Sequence, residues 1–181
     1  MENKKNNTKL YVSSFLVFMF ILSLIVGWLI GTNMSSDTSK ERLVLTKEYK
    51  KIKDLNYSYN NKKGKLLYTQ LCSKCHQSDG QGTMQFPPLK EAKILSNKNN
   101  LLLKIIVRGF RGKISRHQKS FNSDMPSFKK IPSVDLTHIV NYIRNNFSTQ
   151  NLVEIQPVEI TNTKVDSLAQ PGPIMAKELN P

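Results

Sequence analysis

Cysteine is nearly missing from this chain: there are two in 181 residues, and both fall within one pentapeptide. A disulfide between residues so close would shut almost no loop and stabilise little. A structural zinc site, which needs four ligands, has no second cysteine pair to draw on. Histidine is almost as scarce, with three copies at positions 76, 117 and 138, and the last two do not make an H-x₃₋₅-H pair. Acidic residues are few, 13 against 27 Lys and Arg. The resulting net charge of +14 fits nucleic acid, an anionic membrane surface or an acidic protein as partner, and charge alone does not choose. An alternating strand and helix pattern is also lacking.

What is present is Cys72-Ser73-Lys74-Cys75-His76. Two thiols three positions apart project to one side of a helical turn, where both can form thioethers to the vinyl groups of a porphyrin. The imidazole that follows can then turn to the iron as proximal ligand. A thioredoxin-like redox pair shares the C-x-x-C spacing, but it expects strands and helices alternating around it. The spacing therefore predicts one covalent haem c held by Cys72 and Cys75, with His76 on the metal.

The N-terminus bears on location. Leu10 to Ile30 is 21 residues without a charge, and at about 1.5 Å per residue a helix of that length spans roughly the 30 Å of a bilayer core. Lys4, Lys5 and Lys9 precede it, and Tyr11 and Trp28 stand near its ends, the pattern of a cytoplasmic N-terminus with interfacial aromatics. A cleaved signal peptide would have a shorter apolar core and a small-x-small site. The expected layout is a cytoplasmic segment 1–9, a single transmembrane anchor 10–31 and a polar tether 32–58, partly helical near Glu41 to Asp54. A folded domain at 59–148 and a C-terminal tail at 149–181 follow. Export to the periplasmic or extracytoplasmic side of a bacterial inner membrane removes nucleic acid from the partners.

Within the folded part, three helices are expected. The first runs from Gly64 into Cys72, with Leu67 and Leu71 four apart, and delivers the cysteines. The second spans Leu101 to Arg108, with Asn99 or Asn100 as cap and Gly109 as a left-handed stop. The third starts with Ser133 as N-cap after Pro132 and carries an apolar stripe of Leu136, Ile139, Val140, Ile143 and Phe147. His138 lies off that stripe and is expected to face solvent. Tyr142 flanks it, and Gly64 is the residue that would let the first helix approach.

A sixth ligand for the iron would come from Met84, Met125 or His117. Met125-Pro126 is favoured, in an irregular stretch 49 residues beyond His76 that can cross the opposite haem face. Met84 is only eight residues from His76 and reads as a packing residue.

Gly64, Tyr68, the Cys72 to His76 motif, Gly80, Gly82, Phe86-Pro-Pro-Leu89, Val107-Arg-Gly109, Asn122 to Phe128 and Tyr142-Ile-Arg-Asn together resemble a class I monohaem cytochrome c domain of the membrane-anchored bacterial type. The resemblance covers residues 59–148. It implies an all-α fold of three main helices around one covalent haem, and a proximal histidine whose second ring nitrogen bonds a proline carbonyl, that of Pro87 with Pro88 the alternative. It implies electron transfer with His76 and Met125 on the iron, alongside periplasmic dehydrogenases, reductases or terminal oxidases. The basic stretch Arg111 to Lys119 and the long tail depart from the minimal pattern.

Three functional readings follow. Residues 60–147 hold 16 Lys and Arg against 4 Asp and Glu, which suits a one-electron carrier docking on an acidic partner face. A fixed subunit of a larger oxidoreductase would explain apolar Leu152, Val153, Ile155 and Val158 in the tail, which could equally pack back on the domain. A haem peroxidase or gas sensor would leave one iron position open.

Overall fold

The computed structural model describes residues 2–96, 100–116 and 118–179, with the side chains of 2–16 and 29–36 outside the description. The chain divides into two compact units, Met1–Leu43 and Val44–Pro181.

The first unit lies within helix α1 (Glu2–Lys53). Its large apolar residues from Val17 to Trp28 are exposed. Among the described residues no helix is long and apolar enough to cross a membrane. The anchor expected at 10–31 falls partly on residues whose side chains lie outside the description.

The second unit is built on α2 (Asn61–Leu71), α3 (Ser73–His76), α4 (Leu101–Arg108), α5 (Ser133–Phe147) and α6 (Pro157–Ala169). Helix α5 is its centre because the expected stripe is all interior: Leu136, Ile139, Val140, Ile143 and Phe147 are buried. Side chains of that kind contribute about 1.5–3 kcal/mol each when fully removed from water. Helix α2 crosses α5 at Gly64, where an added Cβ would stand 2.6 Å from the His138 carbonyl oxygen and 2.9 Å from Tyr142 Cβ. Helix α4 closes the core with Leu102, Leu103, Ile106 and Val107.

Several expectations are corrected by packing. His138 does not face solvent: it is 5% exposed. Its Nδ1 accepts from the Asn60 N–H at 3.3 Å and meets the Tyr57 hydroxyl at 3.2 Å, and the rings of Tyr57 and Tyr59 flank it. Ser133 is the first helical residue of α5 rather than its cap; Pro132 occupies the cap position. The Ser133 hydroxyl is buried without a partner among the described residues, and its N–H donates instead to Glu48 Oε1 at 2.7 Å. Asn100 precedes α4 with φ of 52° and makes no side-chain cap bond, while Asn99 lies outside the described residues. Gly109 does take a positive φ, 80°.

The region expected to be tether is helical through Lys53, and it contributes to the second unit. Leu45 and Ile52 are buried, and Glu48 reaches both α5 and Lys164 of α6. Burial lowers the Lys164 pKa and Glu48 opposes that shift. The ammonium also donates to the Ile131 carbonyl at 2.7 Å.

The tail folds as well. Helix α6 packs on α4 and α5, with Ile160 fully buried. Asn141 of α5 holds the entry to α6, accepting from the Ile155 N–H at 2.8 Å and donating to its carbonyl at 2.9 Å.

The fold is mostly helical but not all-α. Strand β1 (Phe110–Arg111) pairs in parallel with β4 (Ile174–Met175), and β2 (Ile114–Arg116) forms an antiparallel hairpin with β3 (Lys119–Phe121).

Candidate haem-binding site

Helix α2 hands the chain to α3 through a single residue. The Cys72 N–H donates to Tyr68 O at 2.8 Å, ending α2, and Cys72 O accepts from the N–H groups of Cys75 and His76 at 3.2 and 3.0 Å, starting α3. The motif is therefore one tight helical turn, fixed at its first cysteine by main-chain bonds on both sides. Both thiols are free and half-buried, and Cys72 packs on the main apolar cluster. Burial, then Cys75 beside it, pushes the Cys72 thiol up to about 12. A redox dithiol needs the opposite shift.

His76 Nδ1 lies 2.9 Å from Pro87 O. A carbonyl only accepts, so Nδ1 carries the proton and Nε2 keeps its lone pair. Burial lowers the His76 pKa, with the Pro87 bond working against it. The ring is thus the neutral tautomer that a metal requires.

The segment after the motif is pinned by its own backbone. Gly82 N–H returns to His76 O at 3.0 Å, Thr83 N–H goes to Phe86 O at 2.9 Å, and the Tyr68 hydroxyl donates to Gln77 O at 2.5 Å. Gly80 has φ of 72° and sits under the Phe147 ring, where a Cβ would come within 2.8 Å. Leu89 and Lys90 both send their N–H to Gly80 O, at 2.8 and 3.0 Å.

Among the sixth-ligand candidates, Met84 is 83% exposed and His117 lies outside the described residues. Met125 is half-buried and packs on the same apolar cluster as Leu71, Cys72 and Leu89. Its loop is held where it leaves α4: Phe110 and Met125 form an isolated antiparallel bridge, and a Cβ on Gly109 would stand 2.6 Å from Met125 O. His138 is engaged elsewhere, with Tyr57 and Asn60. No group of three His, Cys, Asp or Glu that could hold a metal ion occurs among the described residues.

A covalent haem fits this donor set. Two unoxidised thiols sit on one turn, a neutral imidazole follows with Nε2 available, and a thioether borders the same apolar cluster. Comparison with known proteins agrees: residues 61–147 match the family model for cytochrome c. Residues 61–147 are a cytochrome c domain. Cytochrome c-552 of Thermus thermophilus is 32% identical over 85 residues, which is 44% of this chain and 64% of that protein. A second cytochrome c-552, from a named strain of the same organism, is equally similar, with 57% of its length covered. The chain thus spans under two thirds of each relative. Cytochrome c domains bind covalent haem c, and Cys72 and Cys75 are the two cysteines this one offers.

Sequence reasoning overlooked two parts of the site's surroundings. Arg116 of β2 bonds to the main chain of the Pro87 segment, and β4 pairs beside the Met125 loop. The basic stretch Arg111 to Lys119 marked the place of the first; a strand of two residues in a tail left no signal of the second.

Proposed function

We propose that this chain is a membrane-anchored one-electron carrier, with haem c joined to Cys72 and Cys75 and its iron ligated by His76 and Met125. The observation that carries this reading is the His76 Nδ1 bond to Pro87 O beside two free thiols on one turn. When bound, haem c supplies a ferric/ferrous couple of comparatively high potential under His and Met ligation.

The chain's residues hold that couple in place. Pro87 fixes the imidazole tautomer and raises its basicity as a ligand. The apolar cluster of α2, α4 and α5 excludes water, and the Phe110–Met125 bridge keeps the thioether loop in register.

An optical spectrum of the purified holoprotein tests the reading. A weak methionine-to-iron charge-transfer band is expected in the ferric form and should vanish in Met125→Ala. A wild-type spectrum without it would favour an open iron position and with it a peroxidase or sensor. Retention of an ordinary cytochrome spectrum after His76→Ala would overturn the axial assignment.

The run of exposed apolar residues from Val17 to Trp28, inside 21 uncharged residues, supports an anchor in a bacterial inner membrane with the cytochrome domain on the extracytoplasmic side. Carbonate extraction and protease accessibility of intact cells test it; release without detergent would refute it. The excess of lysine and arginine on residues 60–147 supports an acidic docking face on the redox partner. Electron-transfer rates should fall steeply with added salt.

The alternative of a fixed oxidoreductase subunit loses one argument. Ile155 packs on the domain's own apolar cluster and Val158 is half-buried, while Val153 stays exposed. Detergent extraction that yields the chain alone supports the carrier, and stable co-purification with an oxidoreductase supports the subunit.

A further inference from the structure

Pro87 and Pro88 pose a structural problem. Neither has an N–H, so two consecutive residues beside the axial histidine offer the backbone no donor with which to fasten itself. Only their carbonyls can be held. Pro87 O is given to His76, which leaves Pro88 O as the nearest place to grip the segment.

Arg116, the last residue of β2, grips it. Its Nη1 donates to Pro88 O at 2.6 Å and its Nη2 to Lys90 O at 2.7 Å. These carbonyls bracket Leu89, whose N–H, like that of Lys90, is already directed to Gly80 O. The segment is thus secured through its amides on one side and its carbonyls on the other. Both donors go to main-chain oxygens, with Glu91 acting on the guanidinium as a nearby charge. A planar fork can span two carbonyls at once, and a lysine ammonium on its single flexible stem is poorly shaped for that.

We propose that Arg116 is a positioning residue for the axial histidine: by bridging Pro88 and Lys90 it sets the Pro87 carbonyl against His76 Nδ1. The basic hairpin Ile114–Phe121 then has a task, to carry this guanidinium to the proximal side. The proposal rests on His76 being the axial ligand.

The test uses the full-length holoprotein with Arg116→Lys, Arg116→Gln and, as a charge control in the same hairpin, Lys119→Gln. The first readout is solvent exchange of the His76 Nδ1 proton by NMR in the ferrous state. Both Arg116 variants should exchange about tenfold faster, the effect of losing roughly one net hydrogen bond from a local opening equilibrium. Lys119→Gln should not change it. The second readout is the reduction potential. A weaker Nδ1–H bond makes the imidazole a poorer donor to ferric iron, so the potential should rise in Arg116→Lys, where the charge is kept.

Unchanged exchange in Arg116→Lys, with Arg116→Gln shifting the potential only as Lys119→Gln does, would mean that the residue acts as a charge and would overturn the proposal. Should Arg116→Gln fail to fold, Arg116→Lys decides alone. Failure of the axial reading shows separately, as an ordinary cytochrome spectrum surviving in His76→Ala.

Discussion

Phe110 and Met125 exchange both of their main-chain hydrogen bonds, 3.0 Å from the Phe110 N–H to Met125 O and 2.9 Å in the other direction. The other edge of Phe110 pairs with Ile174, whose N–H donates to Gly109 O at 2.9 Å. Three segments distant in sequence therefore lie side by side, and the outermost supports the one that bears the thioether. Ile174 is 1% exposed, so truncating it to alanine should cost about 2–4 kcal/mol. Urea unfolding of the holoprotein should give that loss. The methionine-dependent band should fade at a lower urea concentration than the overall transition; simultaneous loss would show that the strand supports the whole domain equally.

Gly64→Ala should destabilise although alanine is the better helix former. The propensity gain is at most about 1 kcal/mol. Against it stands a Cβ 2.6 Å from a main-chain oxygen of α5, which cannot move without parting the helices. Overpacking of this kind costs about 1–3 kcal/mol or more. Thermal melting should show a net fall of several degrees; a rise would mean that α2 and α5 meet less closely than described.

His138 gives the domain a stability that acid removes. Burial, then Lys63 nearby, lowers its pKa from the ordinary 6.5, with Asp135 opposing. The folded state therefore prefers the neutral ring, whose Nδ1 accepts from the Asn60 N–H and meets the Tyr57 hydroxyl. The contribution is fully present above the unfolded value and is lost as pH falls through the lowered folded one. Denaturant titrations of the holoprotein from neutral into mildly acidic buffer should show that decline, and His138→Gln should flatten it.

Tyr68 ties the end of the haem motif to α2. Burial, the largest influence, raises its phenol pKa, so the hydroxyl remains a donor to Gln77 O. Gln77 is a non-glycine residue at φ of 62°, a conformation that needs outside support. Tyr68→Phe should cost about 1–2 kcal/mol in denaturant unfolding while leaving the visible spectrum in place.

What the sequence made legible was local. Cys72 to His76 declares itself by spacing, and the stripe on α5 by its period. The bounds of α4 were readable because Gly109 ends it. Unreadable were contacts between distant residues. His138 looks exposed on a helical projection because Tyr57, which helps to cover it, belongs to the stretch that composition marks as tether, and Tyr59 stands at the very start of the expected domain. Ser133 has the chemistry of a cap, but a carboxylate 85 residues earlier takes that task. Arg116 announced only a positive charge, and its two carbonyl partners could not be inferred before the hairpin was placed.

The bond from Ser133 to Glu48 also decides where this protein can be cut. A soluble fragment beginning at Tyr59, where sequence alone would start the domain, loses Glu48 together with Leu45 and Ile52. It leaves the Lys164 ammonium without its counter-charge and the first turn of α5 without its acceptor. A fragment beginning upstream of Val44 retains all of them.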